Sequence, residues 1–253
     1  MSPHEEEMPH VALVTGAAGG LGACIAGRLY DRGYRVALTD LDEEAAVKAA
    51  AGLDPEGGQA VGLALDVRHK DAFTRVRDHL VERWGAVHVL VNNAGQSKVE
   101  RLMEISPESF EAVVSTNLNG TFYGCQVFGA YFAERGYGRI VNIASLAGQN
   151  GGTATGAHYA AAKGGVATLT KVFARELGPN GVTVNAISPG PQDLPVVRAM
   201  VPPAQLAAIE QAIPVQRLGR PRFIADMAVL LASEHADAVT GACWDANGGL
   251  YMR

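Results

Sequence analysis

Cysteine is scarce in this 253-residue chain, and the three present, Cys24, Cys125 and Cys243, lie far apart with no CxxC pair and no mixed Cys/His cluster. That pattern excludes a disulfide framework and a structural zinc site, and free cysteines at apolar positions suit a reducing compartment. Basic excess is absent too: the formal net charge is −5 and the pI about 5.8. No basic stripe exists to neutralise a phosphate backbone, so nucleic acid is not an expected partner. Long apolar runs are missing as well. The start, Met1 to His10, is acidic and carries no apolar h-region, and no later run could span a bilayer, so a cytoplasmic protein is expected. Internal repeats and low-complexity linkers are absent.

What is there is ordinary globular material, 48% hydrophobic and 19% charged, with 30 glycines set among periodic apolar segments. The length allows one large core, so a single domain over 1–253 is expected, with a flexible tail over 1–9. Seven strand-like runs are predicted: Val11–Thr15, Arg35–Thr39, Ala60–Asp66, Val87–Val91, Arg139–Ala144, Thr183–Ile187 and Ala242–Asp245. Between them lie helix-length segments at Leu21–Arg32, Glu43–Ala51, Lys70–Trp84, Pro107–Arg135, Ala157–Leu177 and Arg222–Ser233. Alternation of this kind predicts an α/β fold, a doubly wound Rossmann-type parallel sheet with helices on both faces. A ligand crevice is then expected at the carboxyl ends of the strands, where strand order reverses. The proline-rich stretch 191–214, with Pro191, Pro195, Pro202, Pro203 and Pro214 among apolar residues, reads as a substrate lid.

After the first strand the chain runs Thr15-Gly16-Ala17-Ala18-Gly19-Gly20-Leu21-Gly22. Glycines let the backbone turn tightly and approach a pyrophosphate, while the next helix offers free N–H groups and its positive end. The spacing is not GxGxxG, and no GK[ST] follows, so the turn is not a P-loop. Asp40 ends the second strand twenty-four positions beyond Gly16. A carboxylate there can accept hydrogen bonds from an adenosine ribose and would repel a 2′-phosphate. With Leu41 and Asp42 following and no nearby cation in the turn, NAD is expected over NADP. Asp40 as the N-cap of the following helix is the alternative.

Tyr159 and Lys163 stand four residues apart, on one face of a predicted helix. Free tyrosine, with a pKa of about 10, is a poor base at neutral pH. A neighbouring ammonium and a cationic nicotinamide ring would stabilise the phenolate, lower that value and make the phenol a usable proton shuttle for an alcohol/ketone pair. His158, adjacent on the same helix, points about 100° away and reads as structural or as a pocket-edge residue.

With the Thr15–Gly22 turn come Asp66-Val67, Asn92-Asn93-Ala94-Gly95, Asn117, Ser145, Tyr159/Lys163, Pro189-Gly190 and Asn247-Gly248-Gly249, in that order. In this set the chain resembles the short-chain dehydrogenase/reductase family, in its compact single-domain form, along nearly its whole length. The resemblance implies that Tyr159 exchanges a proton with the substrate oxygen, and that Lys163 lowers its pKa and holds the nicotinamide ribose. It implies that Ser145 bonds the substrate oxygen and that Asn117 holds a water linking Lys163 to solvent. Gly16, Gly19, Gly20, Leu21, Gly22, Asp40, Leu41, Asp66, Val67, Asn93, Ala94, Gly95, Pro189, Gly190 and Gln192 would then bind the cofactor. Two departures stand out: Leu194 sits where the family often has a threonine contacting the carboxamide, and the Ser145–Tyr159 interval is one residue long. The extra residue is assigned to the Gly-rich loop Gly148–Gly156.

The function expected is NAD(H)-dependent interconversion of a secondary alcohol and a ketone. Within the same class, a 3-oxoacyl-carrier-protein reductase using NADPH is the alternative, and a non-catalytic dinucleotide-binding sensor is a distant one. The substrate is expected against Ser145, Tyr159, Gln96, Leu146, Gln149, Asn150, Gln192, Val196, Val197 and Met200. No metal is expected. Ala/Gly-rich faces on Pro107–Arg135 and Ala157–Leu177 favour a homodimer or homotetramer, an expectation the family resemblance shares.

Overall fold

The computed structural model describes residues 9–152 and 156–253. The expected tail therefore lies almost wholly outside the described residues, as do positions 153–155 of the Gly-rich loop. Seven strands form one sheet: β1 Val11–Thr15, β2 Arg35–Asp40, β3 Ala60–Ala64, β4 Val89–Asn92, β5 Gly138–Ile143, β6 Val182–Pro189 and β7 Cys243–Ala246. Their order is β3-β2-β1-β4-β5-β6-β7, and every pairing is parallel. Strand order reverses between β1 and β4, which opens a crevice at their carboxyl ends. The sheet is the doubly wound one expected.

Each strand in the middle is apolar on both sides, because helices cover both faces. In β1 the side chains alternate: Val11 and Leu13 enter one core, Ala12 and Val14 the other. The first core holds Phe73 and Leu80 of α3 (Lys70–Trp84), Phe128 and Phe132 of α5 (Gly120–Arg135) and Leu177 of α7 (Ala157–Leu177). The second holds Ile25 and Leu29 of α1 (Gly20–Tyr30), Ala50 of α2 (Glu43–Leu53), and Ile224 and Leu231 of α10 (Pro221–Ala232). Full burial of each of these large side chains contributes about 1.5–3 kcal/mol. The two cores hold the sheet rigidly and so fix the height at which its C-terminal loops stand.

Two segments differ from the sequence reading. The run expected as one helix over Pro107–Arg135 is α4 (Pro107–Val114) and α5, joined by a π turn over Ser115–Asn119. The loop after Ser145 begins with a single helical turn, α6 (Ala147–Asn150), closed by Gly151 in the left-handed region. The expected lid contains α8 (Pro195–Met200) and α9 (Pro203–Ala212), whose inner residues Val197, Leu206 and Ile209 pack on Ile213 and Leu218. Among the described residues no helix is long and apolar enough to cross a membrane.

Candidate active site

The crevice between β1 and β4 is a cleft of about 710 Å³, lined from one end to the other by the glycine turn, Asp40, Asp66, the Asn93–Ser97 stretch, Tyr159 and Lys163. Its floor needs the glycines for steric reasons. Gly16 has φ +63°, and a Cβ there would lie 2.8 Å from Ala94 Cα; at Gly22 it would lie 2.1 Å from Gly16 O. At Gly19 and Gly20, by contrast, a Cβ would meet nothing within 4 Å, so the bare backbone faces open space. Asn93 ties turn to strand, its Nδ2 donating to Thr15 O at 2.9 Å and Gly16 O at 3.0 Å. A bare, N–H-bearing turn at the start of α1 is what a pyrophosphate needs.

Asp40 also belongs to this cradle. Its Oδ2 accepts from Ala18 N at 3.2 Å, bracing the glycine turn. The cap of α2 is Asp42, which accepts from Ala45 N at 3.0 Å, so the alternative of Asp40 as N-cap does not hold. Leu41 lies open, 68% exposed, at the cleft rim. Asp66 is engaged by Arg68, whose Nε and Nη2 donate to its carboxylate at 2.8 and 2.5 Å. Those bonds hold the Asp66 carboxyl below the usual carboxylate range despite its partial burial. Arg68, which sequence reading passed over, lines the same rim.

At the far end of the cleft α7 delivers Tyr159 and Lys163, the segment just after β5 carries Ser145, and the π turn carries Asn117. Lys163 is 3% exposed and donates from Nζ to Ile143 O at 2.6 Å. Desolvation lowers its pKa to about 8. Its Nζ stands 5.8 Å from the centre of the Tyr159 ring. Burial raises the Tyr159 pKa and the Ser145 hydroxyl beside it pulls the other way. Of these two influences desolvation is the larger. A protonated phenol at neutral pH is ready to give its proton to a ketone oxygen. Ser145 Oγ accepts from Ala147 N at 3.1 Å, starting α6 while keeping its own proton free.

Asn117 is wholly buried. The widened π turn lets its Nδ2 reach both Val113 O at 2.9 Å and Gln96 O at 2.7 Å. Its Oδ1 has no protein partner. A Cβ placed on Gly95 would lie 2.7 Å from that oxygen and 3.6 Å from Lys163 Nζ, so the two groups flank one small space.

A second cavity, about 370 Å³, opens beyond Tyr159 and is lined by Ser145, Leu146, Asn150, Pro189–Pro191 and, from the lid side, Ile209, Ala212 and Leu250. Tyr159 and Ser97 line both spaces. Several expected contacts fall elsewhere. The Gln149 amide donates to Asp245 Oδ1 at 2.5 Å and accepts from Ser188 Oγ at 2.9 Å, away from the cavity. Gln192 donates to Gly190 O at 3.0 Å and packs on Gly219, lining neither space. Val196 is 54% exposed and Val197 faces the small core under the lid. The side chain of Met200 lies outside the described residues. Gln96 lines the cofactor cleft, and Leu194 is there too, beside Tyr159 and Lys163. A third space, about 690 Å³ between α10 and the last residues, meets the second cavity only at Pro191 and is lined by none of Asn117, Ser145, Tyr159 and Lys163.

A family model described as enoyl-(acyl carrier protein) reductase matches residues 16–251. The chain is 37% identical to the 3-oxoacyl-[acyl-carrier-protein] reductase of Vibrio cholerae, over 96% of this chain and 97% of that one. It is 39% identical to an acetoacetyl-CoA reductase of Rhizobium meliloti, over 97% of this chain and 100% of that one. Among solved structures, a variant of the actinorhodin polyketide ketoreductase with NADPH aligns with a TM-score of 0.88 at 38% identity, covering 96% of this chain and 97% of that chain. Two of these names speak of reductases of 3-oxoacyl or acetoacetyl groups, which lie nearer the alternative expectation than the simple alcohol/ketone reading. Fold, nucleotide cleft and relatives agree that the chain is a member of the short-chain dehydrogenase/reductase family, an oxidoreductase acting on CH–OH and keto groups.

Proposed function

We propose that the protein reduces the 3-oxo group of an acyl thioester to the 3-hydroxy group. The observation that carries this is the position of Tyr159, on the wall shared by the dinucleotide cleft and the apolar cavity. A carbonyl presented there meets the nicotinamide end of one space and the phenol of the other. Apart from Tyr159, no described residue lining the cavity carries an ionisable side chain. A free carboxylate would be buried without a counter-charge, so a neutral ester or thioester suits it better.

The nicotinamide cofactor supplies the hydride when bound. Tyr159 gives its proton to the oxygen, Ser145 donates a hydrogen bond to the same oxygen, and Lys163 holds the ribose and recharges the phenol. The free Asn117 acceptor supports a bridging water between that lysine and solvent. For the cofactor, the relative holding NADPH points one way and Asp40 the other. Asp40, braced by Ala18, favours NADH: among the described residues Arg68 is the one arginine lining this cleft, and it is bound to Asp66. We also assign a homodimer or homotetramer, joined through the outer faces of α5 and α7.

The test is reduction of an acetoacetyl thioester with NADH and NADPH side by side. Turnover is expected with both and is faster with NADH. Tyr159→Phe is expected to lose at least a thousandfold in kcat. Cofactor binding without turnover of any carbonyl would leave the sensor reading instead.

A further inference from the structure

We propose that His158 is a positioning residue for Tyr159, locking the first turn of α7 to the Gln96–Glu100 wall of the active site. The inference rests on the reading of Tyr159 as the proton donor. His158 is wholly buried, which is unusual for an imidazole and calls for satisfied nitrogens at both ends. Its Nδ1 accepts from the backbone N–H of Tyr159 itself at 2.9 Å. The proton of the neutral ring must then sit on Nε2, which donates to Glu100 Oε2 at 3.0 Å.

Glu100 is fixed in turn. Its Oε2 also accepts from Ser109 Oγ at 2.5 Å, and Lys98 Nζ donates to that hydroxyl at 3.2 Å. Ser109 belongs to α4, the helix that runs into the π turn carrying Asn117. A second tie runs parallel to the first: Gly156 N donates to Lys98 O at 3.0 Å. Gly156 is sterically bound to this arrangement, since a Cβ there would lie 2.2 Å from His158 Cε1 and 3.0 Å from Lys98 O.

The wall between these ties is functional. Gln96 O accepts from Asn117, Ser97 lines both the cofactor cleft and the substrate cavity, and Glu100 meets His158. One five-residue stretch thus touches Asn117 at one end and the residue before Tyr159 at the other. Bonds at Glu100 from Ser109 and His158 keep its carboxyl below the usual range, so it stays an acceptor at neutral pH. A displacement of about 1 Å at a reacting group can cost on the order of a hundredfold in rate.

The experiment compares Glu100→Ala, His158→Ala, their double variant and Glu100→Gln in the full-length protein. It measures kcat and KM for an acetoacetyl thioester, the primary isotope effect with 4-deuterated reduced cofactor, and amide hydrogen exchange. Both alanine variants are expected to lose roughly ten- to hundredfold in kcat with a larger isotope effect, and the double variant to lose no more than either. Glu100→Gln, whose amide oxygen still accepts from His158 and Ser109, is expected to keep kcat within about threefold. Amides of residues 156–160 are expected to exchange faster in Glu100→Ala and not in Glu100→Gln. A mere loss of folded protein would scale the rate while leaving KM and the isotope effect unchanged. Wild-type kinetics in Glu100→Ala, or faster exchange spread over the whole chain, overturns the proposal. If the wild type turns over no ketone while protection at 156–160 falls as described, the proposed function fails and the lock stands.

Discussion

Lys163 pays for its place. A buried ammonium with only one carbonyl oxygen for company has its pKa lowered to about 8 by desolvation. Below that pH the folded protein carries a charge that the unfolded chain solvates freely, and above the usual lysine value of 10.5 neither state does. The unfolded chain therefore binds more protons between the two values, and this residue's contribution to stability rises with pH across that window, by about 3 kcal/mol. Lys163→Met is expected to be more stable than the wild type at pH 7, with that rise gone, in denaturant titrations at pH 7 and 10. Its turnover should be lost. Asp40 makes a second residue-scale case: Asp40→Ser removes the charge that would face a 2′-phosphate. The ratio of kcat/KM for NADPH over NADH should rise at least tenfold, read from initial rates with each cofactor. The Ala18 bond, which a serine hydroxyl can still accept, should keep the glycine turn in place.

At the scale of elements, the segments that escaped sequence reading are those where hydrogen bonding, not hydrophobic period, sets the shape. The 107–135 run is periodic enough to read as one helix, yet Asn117 bonds two carbonyls, Val113 O one turn earlier and Gln96 O in the segment after β4. Meeting both demands a wider turn, which apolar spacing does not record. Gln149 and Gln192 look like pocket residues by position, but Ser188 and Asp245 satisfy the Gln149 amide and Gly190 O takes the Gln192 amide N–H. Leu194 begins α8 with no side-chain cap and lines the cofactor cleft. Leu194→Thr is expected to do two things at once: cap α8 and offer a hydroxyl to the nicotinamide end. Tighter cofactor binding, about fivefold by calorimetry, together with slower amide exchange in α8, is the expected outcome.

For the whole molecule, the position of the site follows from topology. The sheet reverses between β1 and β4, and the residues of the cleft come from the ends of β2 and β5, from the loops after β1, β2, β3, β4 and β6, from the π turn, and from α1 and α7. Val172 of α7 is 51% exposed. Light scattering is expected to give two or four times the 26.5 kDa chain mass, and Val172→Glu to lower it.

Much of this was legible in the residues themselves. Strand and helix alternation named the fold, because a parallel sheet buried on both faces leaves continuous apolar runs separated by amphipathic ones. Local spacing put bare backbone at a helix start in the Thr15–Gly22 turn and Tyr159 and Lys163 on one helix face, and the reaction class followed from the resemblance carried by the whole ordered set of motifs. Tertiary structure decided what local spacing cannot hold: that burial raises the Tyr159 phenol, that Arg68 occupies Asp66, that Gln149 and Gln192 turn away, and that His158 binds Glu100 fifty-eight residues earlier. Each depends on which group, near or far in the chain, reaches a polar atom first in the folded protein, and on how much water remains around it once it has.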